Sequence, residues 1–546
     1  MMRSLSYWSI TTTVIALLLG IPACVIVANI FVPAGDVWRH LVDTVLQDYV
    51  TNSLLLMVGV TIGSLFLGVI SAWLVTMLEF PGRRLFEWAL LLPMAIPAYI
   101  IAYTYTGMLD FAGPVQTSLR ELTGWGYGEY WFPEIRSIEG AAIMLALVLY
   151  PYVYLMARAA FISQSLCVLD VSRSLGNGPW RTFFNVALPL ARPAIAAGLS
   201  LVLMETLADY GTVQYFGIST FTTGIFRTWY GLDNAPAAAQ LATILLMFVL
   251  VLLTLERYSR RRARYHYTSR RHQEIHRIQL QGWHKPMASL FCFGTVLLGF
   301  LLPAGQLTLW AIDTAGAMLN SKFFTLVMHS LELASLAALL TLCVSLVLGY
   351  GRRLEPGPTV NIAVRAAGMG YAVPGTVIAI GVIIPFGWLD NTIDGWMRAQ
   401  FGVSTGLLLS GSMAGLLFAY LVRFMAVSLN AVETGLGRIT PSMDEAARSM
   451  GYPPRHIMGK VHIPMLKGSL LTAILLVFVD VLKELPATLI LRPFNFNTLA
   501  VRAYELASDE RLADSASASL AIVMAGILPV ILLSRSIAQS RHHDAT

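Results

Sequence analysis

Charge is scarce in this chain. Of 546 residues, 12% are Asp, Glu, Lys or Arg, 56% are hydrophobic, and the mean hydropathy is +0.66. A water-soluble core cannot use so much apolar residue, which excludes a soluble enzyme or binding module and implies a polytopic membrane protein. Cysteine is scarcer still. Cys24, Cys167, Cys292 and Cys343 are scattered, three of them in apolar runs, and none has metal-ligand spacing, so neither a disulfide framework nor a metal cluster is expected. There is no G-x-x-x-x-G-K-[ST] loop, so the chain does not bind ATP in the P-loop manner, and there is no H-E-x-x-H pair. Catalysis by this chain, and a cofactor bound by it, are not expected.

What is present is a series of apolar runs of spanning length. They fall near 8–32, 53–78, 88–109, 138–160, 190–213 and 237–256, then near 287–310, 328–350, 366–388, 407–430, 466–490 and 515–535. Twelve helices, six per half, make an all-α fold. Arg3 and the run after it resemble a signal peptide, and Ile21-Pro22-Ala23-Cys24 faintly resembles a lipoprotein cleavage site. The run continues to Val32, long enough to span, and reads as an uncleaved first helix. With the N-terminus inside, the inner connections hold 27 of the 37 Lys and Arg and the outer ones hold 9, with Lys483 inside a helix. That bias places both termini in the cytoplasm and accounts for the net charge of +6 without nucleic acid. The stretch 257–285 joins the halves; its Arg257–Arg277 part carries eight arginines against Glu274 and reads as a solvated linker on the inner leaflet. His272 and His276 lie four apart within it, a lone pair that carries no metal site by itself.

The polar interruptions are more informative. Asp444–Pro464, DEAARSMGYPPRHIMGKVHIP, reads as two short helices around Gly451, with Pro464 opening a third, apolar helix. Ser442-x-x-Glu445 has the form of a capping box, so the first helix is expected to begin there. A similar object, DVSRSLGNGPWRTFFNVALP, occupies Asp170–Pro189. Glu445, Gly451, Pro454 and Pro464 all lie 275 residues beyond Asp170, Gly176, Pro179 and Pro189. Ala95-Ile96-Pro97 is echoed by Ala372-Val373-Pro374. Six helices per half is an even number, so the halves are repeats of the same orientation, an arrangement that puts a pathway between them.

Charged residues inside the runs cost at least ~2.5 kcal/mol each in lipid and so call for a reason. Glu205 and Asp209 lie four apart in the fifth run, and Asp480 and Glu484 match them in the eleventh at the same shift of 275. On continuous helices each pair shares one face. At ~1.5 Å per residue from Arg192, they lie about 20 and 26 Å up, beyond the midplane. Two readings stand side by side. The acids form a negative ring for a cation, or they pair with Lys483, Arg227 or Arg502 or cap a helix end.

At these residues the chain resembles the permeases of binding-protein-dependent ABC importers. That family's cytoplasmic loop reads E-A-A, three residues, G, nine residues, I-x-L-P. Glu445, Ala446, Ala447, Gly451, Val461, Ile463 and Pro464 match it, while the first copy departs at its start with Asp170-Val171-Ser172 and keeps Gly176 and Pro189. A fused chain with two copies, and the run Lys483–Ala521, resemble the iron(III) branch, with the fused thiamine permeases close by. The resemblance implies a MetI-like fold in the bacterial inner membrane, with permease repeats over 1–256 and 286–546. It also implies coupling loops at 162–190 and 437–465 that dock on two copies of a separate ATPase subunit, which binds the ATP. A periplasmic substrate-binding protein would deliver ferric iron, or thiamine or another small solute, to outer loops near 110–137, 214–236 and 491–514. A major-facilitator transporter also has six plus six helices. However, Glu79-Phe80-Pro81-Gly82-Arg83-Arg84 lacks the Asp that such a chain carries before its arginines.

Overall fold

An apolar segment in a bilayer must satisfy every backbone N–H and C=O internally, which a helix does. A computed structural model describes residues 7–126, 128–163, 172, 176, 178–261 and 277–543. Its spans are α1 (Tyr7–Ala28), α2 (Leu46–Met77), α3 (Ala98–Leu109), α4 (Ile138–Ser163), α5 (Leu188–Ala208) and α6 (Ala235–Arg261). They continue with α7 (His284–Met318), α8 (Ser321–Leu354), α9 (Gly375–Phe401), α10 (Met413–Leu436), α11 (Ile463–Leu482) and α12 (Leu512–His543). Eleven are spans in their own right, and α3 completes a twelfth with Arg83–Ala95 across a 91° bend.

The bend has a local cause. The residue before a proline is driven out of the helical region by the proline ring. Ile96 before Pro97 has ψ 120°, and Val373 before Pro374 has ψ 124°, so both repeats break at the echoed tripeptide before α3 and α9 begin. Among the described residues the one strand pairing is a two-residue parallel match of Leu78–Glu79 with Ile278–Gln279, near the end of the basic linker. Residues 262–276, with His272 and His276, lie outside the described residues.

The chain forms two compact units that cut across its halves. One comprises residues 1–38, 225–244 and 320–501, and the other residues 39–224, 245–319 and 502–546. In the first unit α1 packs on the second repeat: a side chain at Gly351 would meet Thr12 Cγ2 at 2.7 Å, and one at Gly381 would meet the Pro22 carbonyl at 2.5 Å. Thr243 Oγ1 donates to the Ile26 carbonyl (3.0 Å), tying the start of α6 to the same helix. Its core joins α8, α10 and α11 through Leu342, Val432, Leu436, Leu466 and Ala473.

In the second unit α2 lies on α4 along a glycine stripe. A Cβ at Gly59 would meet Ala142 Cβ at 2.8 Å, and one at Gly63 would meet Ala146 Cβ at 2.7 Å. Lipid gives no hydrophobic drive to helix pairing, so close approach by small residues supplies the packing energy. Here α7 joins the first repeat, with Gly299 against Pro93 and the Leu147 carbonyl. The first helix of each repeat therefore packs with the other repeat's helices.

Candidate coupling loops and membrane acids

The second loop begins with a helix at Pro441–Ser449, capped at Thr440, two residues before the expected cap at Ser442. Thr440 occupies the cap in an extended conformation but makes no side-chain cap bond, and the Ser442 hydroxyl faces Thr440 Oγ1 at 2.9 Å. The capping box is thus not formed. Proline at the first helical position does that work, since its φ is preset and its missing N–H needs no partner there.

The helix is held by a strap that the sequence did not reveal. Asp444 accepts from Arg353 Nε (2.8 Å) at one oxygen and from His462 Nε2 (2.6 Å) at the other. Arg353 also donates to the carbonyls of Leu436 (2.7 Å) and Ile439 (2.9 Å). Partial burial disfavours the Asp444 charge, but the hydrogen bonds and charges of Arg353 and His462 outweigh it and hold the carboxyl below its usual range. Ala447 is buried, whereas Glu445 and Ala446 are exposed beside exposed Met443, Met450 and Tyr452. The helix stops in a Schellman motif: Tyr452 N–H reaches the Ala447 carbonyl (3.2 Å) and Gly451 N–H the Arg448 carbonyl (2.9 Å), with Gly451 at φ +84°.

The expected third helix at Pro464 is not separate. The short helix Pro454–Ile457 runs through a π-turn, Met458–His462, directly into α11. Pro464 has no N–H for the carbonyl four residues back, and its ring would strike it. The wider turn absorbs both problems, with Ile463 N–H bonded to the Met458 carbonyl. The first loop repeats this at the shift of 275: Pro179–Thr182, a π-turn at Phe183–Ala187, then α5 with Pro189 at its second position.

Asp170 and most of the first loop lie outside the described residues. Gly176 is described, at φ +80°, the same left-handed conformation as Gly451. The strap is absent by sequence, because Leu169 and Ala187 stand where Asp444 and His462 would be. In its place Phe183 packs on Trp73 (ring centroids 4.8 Å), which in turn meets Phe161 (5.4 Å).

The membrane acids are not carried on single helix faces. Helix α5 ends at Ala208, and Asp209 is extended (ψ 131°). Its carboxylate accepts from Thr212 N–H, Val213 N–H (both 3.1 Å) and Thr212 Oγ1 (3.0 Å), at the start of the short helix Gly211–Tyr215. Glu484 does the same for Pro486–Leu491, accepting from Ala487 N–H (3.0 Å), Thr488 N–H (3.1 Å) and Thr488 Oγ1 (2.7 Å). The free N–H groups of a short helix end in a membrane need an acceptor, and a carboxylate answers both them and the helix dipole. Asp480 pairs with Lys483 at 2.8 Å. Glu205 is half-buried in the last turn of α5.

Arg423 sits in the middle of α10. Its Nε and Nη1 are buried without a hydrogen-bond partner among the described residues, and a Cβ at Gly375 would lie 2.7 Å from both Arg423 Nη1 and Glu484 Oε1. Gly402-Val403-Ser404-Thr405-Gly406 has the spacing of a hydrolase nucleophile elbow, but it follows a helix, and the Ser404 hydroxyl donates to Asp394 (2.8 Å). Among the described residues no three His, Cys, Asp or Glu side chains gather to hold a metal.

The family of binding-protein-dependent transport system inner membrane components matches residues 64–265 and, again, residues 341–541. The chain belongs to this family, twice over. It is a fused two-repeat permease subunit of the ABC-importer type, with the MetI-like domain in each half, and it is a multi-pass membrane protein. The Fe(3+)-transport system permease protein FbpB 2 of Haemophilus influenzae is 25% identical over 535 residues, covering 96% of this chain and 97% of its own. The ferric transport system permease protein FbpB of Actinobacillus pleuropneumoniae is 23% identical over 511 residues, 89% of this chain and 69% of its own. The molybdenum transport system permease protein ModB of Escherichia coli is 29% identical over 210 residues, 37% of this chain and 89% of its own. These relatives are transport permeases, and the major-facilitator alternative falls with the family match.

Proposed function

We propose that this permease forms the membrane path of an ATP-driven importer of ferric iron, fed by an iron-loaded periplasmic binding protein. Both coupling loops face the cytoplasm in this reading and dock on two copies of a separate ATPase, and both chain ends lie on that side. One observation carries the coupling role. The Glu445–Ala446 corner projects from a helix locked by Arg353, Asp444 and His462, and beyond the turn at Gly451 a continuous helix runs from Pro454 into α11. The Asp444–His462 bond ties the exposed corner directly to the entry of that spanning helix, so a push on the corner has a route that bypasses the turn.

Iron is supported by similarity along the full chain to a two-repeat Fe(3+) permease, where ModB matches only one repeat's length. An open cavity of about 510 Å³ lined by Asp110, Phe111, Gln116, Tyr130, Glu134 and Arg136 suits the first outer loop to receive the delivering protein. Of the four membrane acids, Glu205 makes no helix cap and Asp209 keeps a lone pair on Oδ1 beyond its three cap bonds, so these two are offered to a passing cation, while Asp480 is held by Lys483 and Glu484 caps its helix beside Arg423. The test is reconstitution with its ATPase and binding protein in vesicles holding ATP but no ion gradient. Accumulation of radiolabelled ferric iron supports the reading, whereas accumulation of thiamine in its place refutes the iron assignment.

A further inference from the structure

The second compact unit contains a gathering of phenols that its fold does not require. Tyr103 is 2% exposed, and its hydroxyl is buried without a hydrogen-bond partner among the described residues. Its ring lies 5.7 Å from that of Tyr99 and 4.5 Å from that of Tyr215. Tyr215 ends the short helix Gly211–Tyr215 whose start the Asp209 carboxylate caps. The Tyr210 and Tyr504 hydroxyls face each other at 3.4 Å. A buried hydroxyl left unpaired costs about 1–3 kcal/mol, so native structures keep one only where something else uses it.

The second repeat does not keep four of the first repeat's phenols. Counting from the echoed Ala-x-Pro tripeptide, Thr376 and Ile380 replace Tyr99 and Tyr103; at the shift of 275, Leu485 and Ile490 replace Tyr210 and Tyr215. Only the acid is kept, as Asp209 and Glu484. Packing therefore explains the aromatic bulk but not the hydroxyls.

We propose that Tyr99, Tyr103, Tyr210 and Tyr504, with the Asp209 carboxylate, form a transit site for a hard trivalent cation inside this unit. The proposal rests on the ferric-iron reading above and names where the cation pauses. Phenolate and carboxylate oxygens suit a hard ion, whereas the described residues offer it no cluster of His or Cys. Binding is a ligand exchange without redox change. The Tyr103 O–H bond breaks, its oxygen bonds the metal, and a hydroxide ligand on the hydrolysed ion takes the proton and leaves as water. Release reverses the exchange.

The test uses the purified full chain titrated with ferric nitrilotriacetate, read by the visible phenolate-to-iron charge-transfer band. The band is expected in the wild type and in Tyr105→Phe, whose lost hydroxyl serves the Leu298 carbonyl (2.6 Å) instead. In Tyr103→Phe it should weaken at least about tenfold in affinity, the equivalent of ~1.4 kcal/mol. If Tyr103→Phe melts early, Tyr210→Phe and Tyr504→Phe carry the same readout. No band in the wild type, or a band unchanged in all three variants, overturns the site. Because the chain is read alone, ATP-driven iron uptake without a band sinks only the site. A band without uptake by the full complex sinks only the importer reading.

Discussion

Arg353 reaches Asp444 across 91 positions of sequence, Nε to Oδ2 at 2.8 Å, and the same guanidinium holds the last carbonyls before the coupling helix. One side chain at the end of α8 thus fixes where α10 ends and where the loop helix begins. His462, 1% exposed, closes the arrangement from the entry to α11.

Asp444→Asn keeps the shape and removes the charge, leaving the Arg353 guanidinium, whose side chain is 15% exposed, without its counter-ion. A loss of about 1–3 kcal/mol is expected at the strap. The purified chain should melt earlier, and iron delivered per ATP hydrolysed should fall about tenfold, equivalent to ~1.4 kcal/mol. Unchanged coupling with an intact fold would show that the strap is structural decoration.

The same carboxyl sets a pH limit. Its value is lowered in the folded chain, so its contribution is fully present above the unfolded value of about 3.9 and is lost as pH falls through the lower folded one. Protease resistance of the loop should hold from neutral pH down to about pH 4 and fall below it. The stability gap between wild type and Asp444→Asn should close as pH falls below that point.

The two loops should respond unequally. Glu445→Lys and Gly451→Pro are expected to separate ATP hydrolysis from uptake more severely than Asp170→Lys and Gly176→Pro. Only the second copy has the Arg353–Asp444–His462 strap in its sequence. Gly451 and Gly176 share a left-handed φ, +84° and +80°, a region closed to proline, so the backbone cost of the two proline variants is alike and a difference between them reports the strap. Measuring both activities in all four variants decides the matter, and equal defects in the two halves would refute the asymmetry.

At Glu484 the cap can be told from a charge that acts on substrate. Glu484→Gln retains an acceptor oxygen and should cost less than Glu484→Ala, whose loss of the cap is worth about 0.5–2 kcal/mol. Glu205→Gln has no cap to lose, so it should melt like the wild type and show its effect in uptake alone. Full iron uptake by Glu205→Gln would remove it from the path.

In the glycine stripe, Gly63→Val drives its Cβ to within 2.7 Å of Ala146 Cβ. Overpacking of this kind costs about 1–3 kcal/mol, to be read as a lowered melting temperature, whereas Gly20→Val, with open space around it, should be silent.

The sequence carried the repeat, the spans and both loops, because hydropathy and fixed spacing are local and survive divergence. It missed what depends on contacts between distant segments. Arg353 looked like one more topogenic cation, and nothing at position 353 announces a partner at 444. Arg423 passes unnoticed inside the run 407–430 for the same reason, since one arginine scarcely alters an apolar window. The acid pairs misled differently: a spacing of four implies a shared face only if the helix continues, and the break after Ala208 and Leu482 is set by the carboxylates' own affinity for the next helix start. The π-turns were hidden because proline near a helix start is normally unremarkable.

The exchange of first helices has a temporal side. Helix α1 leaves the ribosome before the other spans, yet apart from the start of α6 its packing partners lie beyond residue 320. At about 5–20 residues per second the partners appear tens of seconds later. Through that interval α1 must wait in lipid without its own fold, and α2 to α5 must hold a vacancy for α7. Neither half can complete itself during synthesis, so a ribosome stalled in the basic linker would leave a half-chain that is inserted but unfinished, a ready substrate for membrane quality control.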